Sequence, residues 1–237
     1  MRLASALLPL FLLIAPQALA AKTAPRAPAK NRVIPETAGD YMQLADFALD
    51  AENFDAAEHI AREGQAKFPH AVGFHLLLGD ILAGHQKKAA AFYEYQWELM
   101  RVGPERPSGL EAREKAGALL DEGRGTDTDE LRMIVDAVTK MESDPGASAA
   151  TLKRYADRRD AFVLDVLLAE ALVKAEKSNE ANPVYRELIK RDPYFVPAYV
   201  DLAEILQKSG KADESKMLIS KAKDIDADHW RLKSLTE

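Results

Sequence analysis

The chain has 237 residues, 47% of them hydrophobic, so it can bury a sizeable core and lacks the composition of a disordered protein. It carries 32 basic and 38 acidic residues, a net charge of −6, which argues against nucleic acid as a partner because phosphate contacts need a basic face. There is no cysteine, which excludes disulfides, thiolate metal sites, a cysteine nucleophile and a cysteine-anchored lipoprotein.

The first predicted element is a targeting segment. Arg2 is followed by an apolar run from Leu3 to Ala15 and then by Ala18-Leu19-Ala20, a small-x-small pattern. This is the layout of a secretory signal peptide over 1–20, cleaved after Ala20. The apolar run is shorter than the roughly 20 residues of a membrane-spanning helix, and it contains Pro9. The expectation is an exported bacterial protein in the periplasm, with full secretion as the alternative and no integral membrane span. Residues 21–37 hold Pro25, Pro28 and Pro35 among Lys22, Arg26, Lys30 and Arg32. The prolines deny this segment a helix, and it reads as a disordered linker; the sharper alternative is weak attraction to an anionic membrane surface.

From Ala38 onward the pattern is helix after helix, with breaks at Asn53, Pro69, Gly84, Gly103-Pro104, Gly123–Gly125, Pro145-Gly146, Pro193 and Gly210. No alternating strand pattern appears. Short breaks between helices predict antiparallel hairpins, and the hairpins share a period of 34 residues: that shift carries Leu168 onto Leu202, Ala169 onto Ala203, Glu170 onto Glu204 and Leu172 onto Leu206. In the N-terminal segment Tyr41, Leu44 and Ala45 take the places of Tyr199, Leu202 and Ala203, and Pro69 that of Pro193. Repetition at this period is the signature of stacked helical hairpins.

Each residue in the repeat has a physical reason. Tyr199 and Leu202 are three apart on one helical face and point into the hairpin core. Ala203 is small because a partner helix crosses there. Ser209-Gly210 closes the first helix, where glycine accepts a left-handed backbone. Asp192-Pro193 ends the hairpin before, since proline lacks the N–H that a continuing helix needs.

This pattern resembles the tetratricopeptide repeat (TPR) family. The resemblance covers repeats 1 and 2 over 38–105 and repeats 3 and 4 over 162–229. It implies an all-α, right-handed solenoid whose first helices line a concave groove, and a non-catalytic, cofactor-free protein-binding role. Between the repeat pairs, 106–161 reads as a degenerate hairpin, Ser108 to Asp121 and Thr128 to Glu142, followed by a connecting helix. Residues 230–237 read as a terminal cap with Trp230 covering the last hairpin. Two departures stand out: His75 and Asp165 replace the first aromatic, and Pro183 falls inside a second helix, which is therefore predicted to start near Asn182.

Enzyme motifs are missing: there is no His-Glu-x-x-His, phosphate loop, GxGxxG after a strand or GxSxG, and no two of the five histidines have the i, i+4 spacing of a metal site. The protein is not expected to be an enzyme or to hold a metal. The TPR resemblance instead places Met42, Leu76, Val166 and Val200 as an apolar row in the groove, beside an acidic row of Asp46, Asp80, Glu170 and Glu204. The basic residues of the family's carboxylate-binding members are largely missing. A groove of this kind fits a basic and apolar segment of a partner protein; a merely solvated groove is the bland alternative.

A second candidate surface is the flank of Tyr93, Trp97 and Met100, which lies apart from the Phe92, Tyr95 and Leu99 core face of the same helix. It would either pack on the irregular middle hairpin or anchor a partner or a second copy of the chain. The functional expectation is a protein–protein interaction scaffold of the cell envelope, supporting assembly or biogenesis of an envelope or secretion complex. A structural, self-associating component of such a complex is the alternative.

Overall fold

The computed structural model describes residues 34–122, 126–158 and 161–233. The signal-peptide segment and all but the last residues of the Pro-rich segment lie outside them. The described residues are all-α: α1 (Ala38–Asp50), α2 (Phe54–Lys67), α3 (Phe74–Gly84), α4 (Lys88–Val102), α5 (Pro107–Glu122), α6 (Thr126–Thr139), α7 (Pro145–Ala156), α8 (Phe162–Lys174), α9 (Ser178–Arg191), α10 (Val196–Lys208), α11 (Ala212–Ile225) and the short α12 (Trp230–Lys233). None of these helices is long and apolar enough to cross a membrane. They form a TPR-like solenoid in which α1 packs on α2, α3 on α4, α8 on α9 and α10 on α11.

The chain enters the fold through a capping box: Thr37 Oγ1 accepts the Asp40 N–H at 3.2 Å, and the Asp40 carboxylate accepts the Thr37 N–H at 2.9 Å. These bonds satisfy two donors that would otherwise be orphaned at the helix start. Small residues then let hairpin partners approach. A Cβ on Gly79 would lie 2.2 Å from the Tyr95 ring, and one on Gly64 would lie 2.6 Å from Phe74 and Tyr41. Ala45, Ala57, Ala169 and Ala203 are fully or almost fully buried at the equivalent crossings.

Each hairpin turns through one residue of positive φ: Glu52 at 55°, Gln86 at 60°, Glu176 at 58° and Gly210 at 79°. Only the last is a glycine. The other three hold a left-handed conformation that costs an L-residue roughly 1 kcal/mol, and the surrounding helix pair imposes it.

Three expectations are corrected. First, α9 starts at Ser178, a turn ahead of the predicted start near Asn182. The proline forgoes one bond, to the carbonyl four residues before it, in the exposed opening turns; burial of Ala181 and Tyr185 against the core holds the helix in place. Second, the middle hairpin is only loosely paired: α5 and α6 touch, but each packs more extensively on other helices. α5 packs along α4, whereas α6 packs on α7 and α4, and α7 pairs with α8. The apolar face of α6 is divided: Leu131 joins Ala112, Ala116 and Leu119 of α5 in the α3–α4 core, whereas Ile134 and Ala137 join the core of α8–α10. Third, Trp230 reaches beyond the last hairpin, although it also borders α10 beside Glu204 and Ile205. It lies on Gly103, where an added Cβ would meet the indole at 2.3 Å, and Leu232 instead joins Val196, Tyr199, Val200 and Ala222.

α4 is the joint between the two repeat pairs. The Trp97 ring stacks on His75 and on Phe162, with centroids 4.1 Å apart in both cases, and Phe162 meets Phe195 edge-on at 5.0 Å. At the C-terminal end of α4, the His229 Nε2–H donates to the Arg101 carbonyl at 2.7 Å, and Arg106 pairs with Asp226 at 2.7 Å. The last turn of the chain is thereby fastened to its first half.

Candidate functional site

The repeat period brings the first helices of successive hairpins side by side, so the same position of each helix recurs along one wall. In repeats 3 and 4 this wall borders a cavity of about 530 Å³. Its sides are α8 and α10, which contribute Val166, Glu170, Asp201 and Glu204; Met100 of α4 and Trp230 and Arg231 of α12 close it.

The electrostatics of this cavity are built on two carboxylates from adjacent helices. Asp201 is buried, and Nε and Nη2 of Arg231 both donate to its Oδ1, at 2.8 and 2.5 Å; the Tyr185 hydroxyl also bonds to its carboxylate. Burial pushes the Asp201 carboxyl above its ordinary value against the pull of Arg231. Glu170 has no hydrogen-bond donor among the described residues. Its burial and then the charge of Asp201, opposed by Arg231 and Lys174, push its carboxyl up to about 7. Glu204 lies 4.0 Å from Arg231. The indole N–H of Trp230, also at the cavity wall, is buried without an acceptor. The cavity thus presents one carboxylate needing a cationic or N–H donor and one N–H needing an acceptor, among apolar walls.

The predicted groove residues divide. Val166, Glu170 and Glu204 meet at this cavity. Val200 does not: it is 0% exposed beneath α12, because the terminal cap takes the space that the apolar row would have offered. In the first half, Asp80 accepts from the Tyr95 hydroxyl at 2.8 Å and from Lys115 Nζ at 2.8 Å, and Lys115 also pairs with Glu111 at 2.7 Å. Burial opposes the Lys115 charge, but Asp80 and Glu111 more than offset it and hold the ammonium above its ordinary value. Asp46 stays exposed, and its carboxyl is raised by desolvation and by Asp50 and Asp80. Leu76 packs against the α3–α4–α5 core, and Met42 packs on the α1–α2–α3 core with its methyl over Gly73.

Of the two readings of the flank of Tyr93, Trp97 and Met100, packing within the chain is the one these contacts favour. All three pack against the core of the C-terminal half, and Met100 also lines the cavity between α8 and α10. Tyr93 also packs against the cluster that holds Ala112, Ala116 and Leu119 of α5 and Leu131 of α6, and α8 covers Trp97 through Phe162. A second apolar stripe on one helix is what an internal joint between two halves requires.

Sequence reasoning missed Asp201, Arg231 and Lys115, and read Tyr185 as a core residue of the repeat without its bond to Asp201. For Asp201 a signal exists: a charge between Val200 and Leu202 in a helix with apolar residues all round needs a counter-charge somewhere. For Arg231 and Lys115 there is none, because each reaches its acid from another helix.

No family model and no curated protein matches the chain. Among solved structures it is similar to YrrB, described as a TPR protein with an unusual peptide-binding site, at 13% identity and TM-score 0.38 over 84% of this chain and 91% of that one. It is also similar to MamA from Desulfovibrio magneticus RS-1, at 14% identity and TM-score 0.34 over 81% and 97%. A third is TTC0263, a thermophilic TPR protein in Thermus thermophilus, at 14% identity and TM-score 0.33 over 84% and 96%.

Proposed function

We propose that the chain is a non-catalytic protein–protein interaction scaffold, and that the cavity between α8 and α10 takes a partner segment carrying Lys or Arg among apolar residues. The observation that carries this reading is Glu170: a carboxylate without a hydrogen bond among the described residues, at the wall of a cavity of about 530 Å³ whose other acids are Glu176, Asp201 and Glu204. A cationic side chain entering beside Val166 would satisfy Glu170 and bury its own methylenes on the apolar wall. Arg231 already makes this kind of contact with Asp201 from within the chain. The signal-peptide pattern of residues 1–20 supports an exported bacterial protein, a periplasmic site of action and a role in assembling an envelope or secretion complex.

The test is site-specific photo-crosslinking in intact bacteria producing the protein with its own leader. A photoreactive residue replacing Glu204 should capture a discrete partner, whereas one replacing the exposed Asp46 should capture less. Recovery of the captured partner by the purified chain should fall with added salt, because exposed charges are screened beyond roughly 8 Å at physiological ionic strength. The Glu170→Gln/Glu204→Gln double variant should recover several-fold less at low salt. Equal recovery by that variant, once shown to be folded, would remove the cavity from the mechanism.

A further inference from the structure

A second cavity, of about 630 Å³, shares no lining residue with the first. It lies where the connections between successive hairpins converge: His70 and Val72 come from the α2–α3 link, Arg106 from the α4–α5 link, Tyr194 from the α9–α10 link and Asp226 and His229 from the α11–α12 link. Arg101, near the end of α4, faces into it and is 7% exposed.

The Arg101 guanidinium donates one bond to the Pro69 carbonyl, and no carboxylate lies within ion-pair distance of it among the described residues. Glu98, one turn earlier and fully buried, accepts the Gly73 N–H through Oε1 at 3.0 Å, while its Oε2 is buried without a hydrogen-bond partner among the described residues and outside ion-pair distance of Arg101. A guanidinium has five N–H donors, and a neutral carbonyl does not compensate its charge. Burying a charge without a counter-charge is strongly unfavourable.

The other charged groups around the cavity do not supply that counter-charge. Asp226 is engaged by Arg106 at 2.7 Å, and its other oxygen accepts the Asp228 N–H at 3.2 Å. Asp224 and Lys221 sit exposed at the rim and are of opposite sign. The His229 imidazole is held below its ordinary value by burial, and its Nε2–H is committed to the Arg101 carbonyl. Among the described residues the lining therefore keeps one buried guanidinium outside any ion pair.

We propose that this cavity binds a small oxyanion, a carboxylate or phosphate group on a ligand of small-metabolite size, with Arg101 as the fixed counter-charge and Lys221 closing from the rim. The guanidinium fork matches either group with two parallel N–H bonds. The volume exceeds that of a bare ion, and Val72, Val196 and Tyr199 supply apolar wall for a carbon frame. Because the lining comes from links in both repeat pairs, the bound anion also ties the two halves together.

The experiment is a thermal titration of the intact chain with sodium phosphate and, separately, with sodium acetate, each against sodium chloride at matched ionic strength. A saturable rise in Tm of roughly 5 °C at a hundredfold excess over Kd is expected for at least one probe. Phosphate alone identifies a tetrahedral ligand group, and acetate alone a carboxylate. Non-specific stabilisation by excluded salts is linear in concentration and would be shared by every variant. Arg101→Gln should abolish the saturable shift. Lys221→Gln, on the exposed rim, should fold normally and weaken apparent affinity up to about fivefold. No saturable rise over chloride in the wild type overturns the proposal, as does a full wild-type shift in Arg101→Gln. If Arg101→Gln does not fold, unchanged affinity in Lys221→Gln overturns it.

Discussion

The α1–α4 and α8–α11 hairpin pairs use the same repeat and the same groove positions, yet their acidic residues meet opposite fates. Asp80 is tied down by Tyr95 and by Lys115 from α5, the helix that follows α4 in the stack. Glu170 has no such neighbour, because what closes its wall is the end of α4 and the four-residue α12. The repeat dictates where a carboxylate points. Whether it is satisfied depends on which helix arrives next. The same contrast holds for the apolar row: Met42 and Leu76 are half-buried, Val166 lines a cavity, and Val200 is sealed under the cap.

The strongest way to break this comparison is to separate the halves. Trp97→Ala removes the ring stacked between His75 and Phe162 and should cost about 3 kcal/mol. If α4 is the joint, chemical denaturation should show one transition for the wild type and two for this variant. A single transition displaced by less than about 1 kcal/mol would show that the halves are coupled elsewhere.

Overpacking tests whether the two repeat cores are equivalent beneath their different grooves. Ala45 and Ala203 occupy the same repeat position and are 0% and 1% exposed. Tryptophan at either site should destabilise by about 1–3 kcal/mol, with similar losses in both. A much smaller loss at Ala45 would show that the first pair is the looser one.

A pH titration sharpens the electrostatic half of the comparison. The Glu170 carboxyl is raised to about 7 in the folded chain, so the native state holds a proton that the unfolded chain releases near its ordinary value. The resulting stabilisation is present in full below the unfolded pKa. It is lost as pH rises through the folded value, so stability should fall between roughly pH 4.5 and 7. Allowing for solvent in the cavity, the loss should be about 1–2 kcal/mol, read as the change in denaturation midpoint. Glu170→Gln should flatten that slope, while Asp80→Asn should leave it in place.

The smallest effect concerns the turns. Glu52, Gln86 and Glu176 hold the positive φ that Gly210 holds without strain. Glycine at any one of them should raise stability by about 0.5 kcal/mol, since relief of the left-handed conformation is partly offset by greater freedom of the unfolded chain. A loss of stability at all three would show that their side chains are needed where they lie.

The repeat, its period and most of its core positions were legible in the sequence. Tyr41, Ala45, Leu78, Ala91, Tyr95, Ala169, Tyr185, Leu202 and Ala203 are all buried in the structure, because within a hairpin a 3.6-residue period and a crossing that tolerates only small side chains act over short distances along the chain. The chemistry of the candidate cavity was legible in part: Val166, Glu170 and Glu204 follow from the repeat frame. The start of α9 at Ser178, the loose pairing of the middle hairpin and the reach of Trp230 to Gly103 were not legible, because in each a tertiary contact outweighs the local signal. Asp201 and Arg231 are 30 residues apart and Arg101 and His229 are 128 apart. No local pattern links residues so distant; only the packing of α12 against α10 and the end of α4 decides that one acid is paired, the next is left open, and an arginine is buried without a counter-charge.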